Sequence, residues 1–186
     1  MTPAKVNRGQ ILVADPFMDE PVFKRAAIFL CEHNKEGSLG FVINKQLEFK
    51  IQDLVLDFPD FDAHVYYGGP VSTDTIHYVH TKGDILDDSI QIDPGIFWGG
   101  DFSRLKFLIK NGLITPKDIR FYLGYSGWSP HQLLSEINTG SWIVTDLDLN
   151  YIFAKRWTGL WNKILADAGG SKAVISKMDD THFNLN

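Results

Sequence analysis

Residues 121–137 read FYLGYSGWSPHQLLSEI, and the parsing of this stretch decides the architecture. In one reading, Gly124-Tyr125-Ser126-Gly127-Trp128 is a nucleophile elbow, a strained strand-to-helix turn that lifts a serine hydroxyl clear. That motif needs a small residue where Trp128 stands, and its serine sits directly at the helix start. In the other reading the helix begins later, with Ser129 as N-cap, Pro130 at N1, His131 at N2 and Gln132 at N3. Serine then accepts from the N3 amide, proline forfeits no bond at N1, and Gln132 reaches back to close a capping box. Trp128 and Leu133 also have the spacing of a hydrophobic staple. Four local rules agree on a helix start, and half a motif supports the elbow. The stretch therefore predicts a strand over 119–125, a tight turn at Ser126 and Gly127, and a helix over 130–138.

Outward from there, hairpins and helices mix without βαβ alternation. QILVA (residues 10–14) is a short strand closed by Asp15-Pro16. Residues 26–32 are apolar on both faces, as in a central strand, and a turn at 33–38 returns the chain through 39–44. Ile51, Leu54, Val55 and Phe58 have helical spacing up to Pro59. Strands follow at 64–67, 75–81, 89–92 and 96–98. Asp101 caps a helix whose stripe is Phe102, Leu105, Leu108 and Ile109, with Gly112 past its end. After an extended 142–145, a last helix buries Leu160, Trp161, Ile164 and Leu165 before Gly169-Gly170. This pattern predicts an α/β (α+β mixed) fold: one layered domain over 1–186, a mixed, partly antiparallel sheet, about four flanking helices, and a loosely patterned tail from about 171.

The 186-residue chain carries a net charge of -5, which is not the electrostatic footprint of a phosphate-backbone binder. Direct DNA binding is therefore disfavoured, though not excluded. Residues 1–93 hold 8 Lys and Arg against 15 Asp and Glu, and residues 94–186 hold 10 against 8. The acidic run Asp84, Asp87, Asp88, Asp93 reads as a solvated loop, since it lacks the spacing of a calcium loop. One cysteine allows no internal disulfide, and neither a leader-like N-terminus nor a membrane-length apolar run is present. The expectation is a cytoplasmic protein without membrane association.

Each candidate for chemistry has a plainer reading. On an extended strand Cys31 and His33, two apart, share a face, where an imidazole can activate a thiol; the plainer reading is a buried cysteine beside a solvated histidine. Ser126 is a nucleophile only if the elbow holds. His77 and His80 fall on opposite strand faces, and no tetrahedral metal set exists in the pattern. Gly37-Ser38-Leu39-Gly40 and Gly68-Gly69-Pro70 match no phosphate-binding fingerprint and read as turns. Lys155-Arg156 with Lys163, near Trp157 and Trp161, is the best basic segment, and the paired tryptophans read as core.

Several stretches together resemble a known family: GQILVADPFMDEPVFKRAAIFLCEHNKEGSLGFVINK, VYYGGPV, WGGDF, FYLGYSGWSPHQLLSEINTGSW and the LW of the closing helix. In this order, over nearly the whole chain, they are similar to the bacterial YqgE/AlgH family, with residues 181–186 a loose match. The resemblance implies an α/β domain of unusual topology, in bacterial cytoplasm, with no known cofactor. Members carry the label of transcriptional regulators, with no established biochemical activity and no catalytic residue to transfer.

The resulting expectation is a non-enzymatic regulatory protein that binds an unknown protein or small-molecule partner, without cofactor or metal. Its candidate ligand-binding residues are Cys31, His33, Asn44, Gly68, Gly69, Pro70, Tyr125, Ser126, Gly127, Trp128 and Gln132. The alternative is a thiol-reactive redox sensor on Cys31 and His33, or a small hydrolase on Ser126.

Overall fold

The computed structural model describes residues 5–154 and 158–177. The readings placed on Lys155, Arg156 and Trp157, and on 178–186, lie outside these. In chain order the elements are β1 (Ile11–Ala14), β2 (Ala27–Asn34), β3 (Gly37–Val42), β4 (Gln46–Lys50), α1 (Ile51–Leu54), β5 (His64–Tyr67), β6 (Val71–His80), β7 (Ile90–Asp93) and β8 (Ile96–Trp98). There follow α2 (Phe102–Lys110), β9 (Ile119–Trp128), α3 (Gln132–Asn138), β10 (Trp142–Thr145), α4 (Leu149–Phe153), α5 (Leu160–Ala168) and α6 (Gly170–Ile175).

The strands form one sheet in the order β10-β1-β2-β3-β9-β6-β8-β7. The β4–β5 ribbon attaches to β9 through a parallel β5–β9 pairing, and every other pair is antiparallel. The sheet is thus mixed and mostly antiparallel, as the hairpin-rich pattern predicts. Six helices are described rather than about four. Short α4, with Tyr151 and Ile152 buried, and α6 carry too few residues for a readable stripe. The tail from 171 therefore opens helically, within α6.

Three apolar clusters divide the interior. On one face of the sheet, α4 and α5 cover Ile11, Val13, Phe29, Cys31 and Phe41. The fully buried Trp161 indole donates to the Ala14 carbonyl at 2.9 Å, tying α5 to β1. The opposite face packs Leu12, Ile28, Leu30 and Val42 against α3 through Leu133. The stripe Leu105, Leu108, Ile109 of α2 lies in a third cluster, with Val65, Ile119 and Phe121. Asp101 caps α2 as expected, its Oδ1 accepting from the Arg104 amide.

Strand β9 is the hub, and it is longer than the local pattern predicts. It runs on to Trp128 rather than ending at Tyr125, so Ser126 and Gly127 are strand residues and no elbow exists. One edge of β9 pairs with β5 through residues 121–123 and with β3 through residues 126–128, while the other edge pairs with β6. The chain leaving β5 must therefore cross the face of β9 to start β6. Gly68 and Gly69 make that crossing over Gly124, backbone against backbone. A Cβ on Gly68 would lie 2.3 Å from the Gly124 carbonyl oxygen, and one on Gly69 2.2 Å from the Tyr125 carbonyl. Gly124 itself has φ +67, and its Cβ would lie 2.6 Å from the Gly69 oxygen.

The helix start also moves. α3 begins at Gln132, with His131 at its N-cap in the left-handed region and Pro130 in the turn. The back-reach of the expected box exists: the Ser129 amide donates to Gln132 Oε1 at 2.9 Å. The forward half does not, because the Ser129 hydroxyl donates to that same Oε1 at 3.2 Å. Trp128 and Leu133 still share one apolar cluster.

Candidate functional site

The candidate residues separate into those that hold the crossing and those that surround the end of β9. Ser126 belongs to the first group. It is fully buried, and its hydroxyl donates to the Gly68 carbonyl at 3.1 Å. That carbonyl also accepts from the Val42 amide at 2.9 Å, so a backbone amide of β3 and a side chain of β9 converge on one peptide of the crossing. Asn44 is likewise a strut. Its Oδ1 accepts from the Ala27 amide and its Nδ2 donates to the Arg25 carbonyl. Pro70 follows the two glycines and leads into β6.

Cys31 and His33 are not brought together. A β-bulge between Leu30 and Glu32 inserts Cys31 as an unpaired residue, which breaks the two-residue alternation. Cys31 continues the face of Ala27 and Phe29 in the cluster under α4 and α5. His33 turns to the opposite side, lining a cavity of about 320 Å³ with Ser129, Leu133 and Leu134. Its Nδ1 lies 2.7 Å from Ser38 Oγ. Burial pushes the Cys31 thiol well above its ordinary value, and the Glu32 charge adds to the rise. A thiol so placed is mostly protonated at neutral pH, the opposite of an activated nucleophile.

A groove of about 410 Å³ forms where the β2–β3 hairpin meets the end of β9. Pairing places Glu32, Leu39 and Gly127 in one row across three strands, with Tyr125 opposite Val71 beside it. These residues, with Glu36 and Gly37, line the groove, and among the described residues no basic side chain does. Gly127 is the gap in the row. A Cβ there would lie 3.3 Å from the Tyr125 ring, so the missing side chain leaves room for that ring. Behind the groove Tyr125 packs edge-on to His77 at 5.8 Å, and His77 neighbours Phe41 and Trp98. Burial lowers the His77 pKa.

On the other face of β9, Trp128 and Gln132 join a residue that sequence reading missed. Glu136 Oε2 accepts from the indole nitrogens of Trp128 at 2.9 Å and Trp142 at 2.7 Å, and Oε1 accepts from Gln132 Nε2 at 2.9 Å. The signal was present, because Gln132 and Glu136 are four apart on a helix. Trp142, from a strand distant in sequence, supplies the part that spacing hides.

Over residues 11–173 the sequence matches the AlgH-like family model. The chain belongs to the AlgH-like family. The UPF0301 protein of Chlorobaculum parvum is 40% identical over 171 residues, covering 92% of this chain and 91% of that one. That of Cytophaga hutchinsonii is 36% identical over 172 residues, covering 92% and 94%. Two solved structures share the AlgH-like fold. One is the solution structure of the AlgH protein from Pseudomonas aeruginosa, with TM-score 0.73 at 24% identity, covering 96% of this chain and 98% of that one. The other is a crystal structure from Corynebacterium diphtheriae, with TM-score 0.79 at 19% identity, covering 96% and 95%. The resemblance read from the sequence is therefore correct. Among the described residues of this family member, no helix is long and apolar enough to cross a membrane. Nor, among them, does any group of three or more His, Cys, Asp or Glu side chains have the geometry to hold a metal ion.

Proposed function

We propose that this AlgH-like chain is a non-enzymatic cytoplasmic regulatory protein that binds a small molecule or protein partner in the groove at the end of β9. One observation carries this reading. The β2–β3 hairpin and the end of β9, two segments far apart in sequence, converge on a concavity of about 410 Å³ that Gly127 lines beside the Tyr125 ring. A concavity of that volume lies within the range of ordinary ligand sites. Its rim carries Glu32 and Glu36, which oppose a phosphate backbone, so regulation through a bound ligand or protein fits better than direct DNA contact.

Backbone amide NMR against a panel of small cellular metabolites tests the reading, with Gly127→Trp as the blocked control. Hits should move the amides of residues 37–39 and 125–128 in the native chain and lose binding in G127W. Hits that map elsewhere, or that bind G127W equally well, sink it. A gel-shift series over salt concentration tests the DNA clause: tight binding with a steep salt slope would restore direct DNA contact.

A further inference from the structure

A second cavity lies across β9 from the groove, at α3, and its chemistry is independent of the reading above. Its volume is about 240 Å³, and Phe23, Trp128 and Trp142 line it together with Glu20 and Glu136. Phe23 meets Trp142 at 5.5 Å and 75°, and Trp142 meets Trp128 at 5.9 Å and 81°. Rings at near right angles form the corners of a box, whereas a stack would hide their faces against one another.

Three neutral N–H donors fix the Glu136 carboxylate in this box. They orient the carboxylate but bring no positive charge, and among the described residues no Lys, Arg or His lines the cavity. Glu20 adds a second carboxylate, on an exposed residue at the rim. Two anions beside aromatic rings disfavour a phosphate or carboxylate ligand. The volume falls below that of a typical drug-sized site, too small to enclose a nucleotide or a whole peptide. What the combination attracts is a compact cation with an apolar skin, drawn to ring faces by their quadrupole and to the carboxylates by charge.

We infer that this aromatic-walled cavity binds a small, free methylated ammonium compound. The probe is choline, with 3,3-dimethylbutan-1-ol as its uncharged isostere, followed through the indole N–H signals of a ¹⁵N-labelled chain. Choline should move the Trp128 and Trp142 signals saturably, and the isostere should leave them in place. Glu136→Gln should weaken choline binding about tenfold or more, in line with loss of one desolvated charge contact. That variant also disturbs the two indole bonds, so Glu20→Gln, at an exposed residue, provides a second arm and should weaken binding about threefold. Three results overturn the inference: an equal response to the isostere, no movement of those two signals at about 10 mM choline where a millimolar site would be mostly filled, or unchanged affinity in E20Q.

Discussion

Gly124→Ala tests the crossing that organises the sheet. Gly124 has φ +67, and Gly112, just past α2, has φ +70. An alanine at either position carries the left-handed cost of about 1–2 kcal/mol and the same small gain from a stiffer unfolded chain. Their surroundings differ. A Cβ on Gly112 meets nothing within 4 Å, whereas one on Gly124 lies 2.6 Å from the Gly69 oxygen and 2.9 Å from the Val71 oxygen. Both obstacles are backbone oxygens, and Val71 is itself paired with Tyr125 of β9; overpacking of this kind costs about 1–3 kcal/mol. G112A should therefore lose about 1 kcal/mol and G124A about 3, against a total stability of about 5–15 kcal/mol for a folded domain. Urea denaturation of both variants reads the difference as a midpoint shift at constant slope. For a chain of this size, G124A should also lower Tm by about 10 °C. A difference between the two variants below about 0.5 kcal/mol would mean that the crossing is looser than the geometry requires, and would refute the reasoning.

Further expectations concern single buried groups. Ser126→Ala removes one hydroxyl donor but leaves the Gly68 carbonyl bonded to the Val42 amide, so it should cost about 1 kcal/mol; in native protein a fluorophosphonate probe should leave Ser126 unlabelled, and stoichiometric labelling would contradict its structural role. Cys31 should resist iodoacetamide at pH 8 in the folded state and react at the rate of unfolding, because burial both hides the thiol and raises its pKa; alkylation as fast as that of a free thiol would count against the buried placement. His80 should make stability fall with acid. It is fully buried; its Nε2 lies 2.7 Å from the Gly99 carbonyl, its Nδ1 accepts from the Lys82 amide, and burial lowers its pKa despite the opposing Gly99 bond. The unfolded histidine protonates first, near pH 6.5, so the contribution is full above that value and declines below it, by up to about 1.4 kcal/mol per pH unit, until the folded pKa is reached. Urea titrations at pH 7.5 and 5.5 should show a smaller drop in His80→Gln than in the native chain, leaving the share due to His77; an identical drop would remove His80 as a cause.

Local chemistry carried much of this protein in its sequence. The IFLC run of β2, the hairpin turn, the Asp101 cap, the α2 stripe and the face of α5 were legible because each depends on neighbours within a few residues. The ordered motifs also carried the family. Tertiary structure decided the rest. Nothing local reveals that Cys31 is a bulge residue, because the bulge exists only against the register of β3. Nothing local ends β9 at Trp128 rather than Tyr125, because its last residues are held by pairing with β3. GYSG looks like a turn since glycines usually permit turns. Here Gly124 instead permits another segment to pass over the strand, and Ser126 fastens it there. Likewise Trp128, Gln132 and Glu136 share helical spacing, but the box around the carboxylate closes only when β10 brings Trp142 beside them. Hydrophobic period and capping act over one or two turns of chain, so sequence states them. Close approach between distant backbones, and the cavities it leaves, depends on which strands pair, and only the assembled sheet sets that.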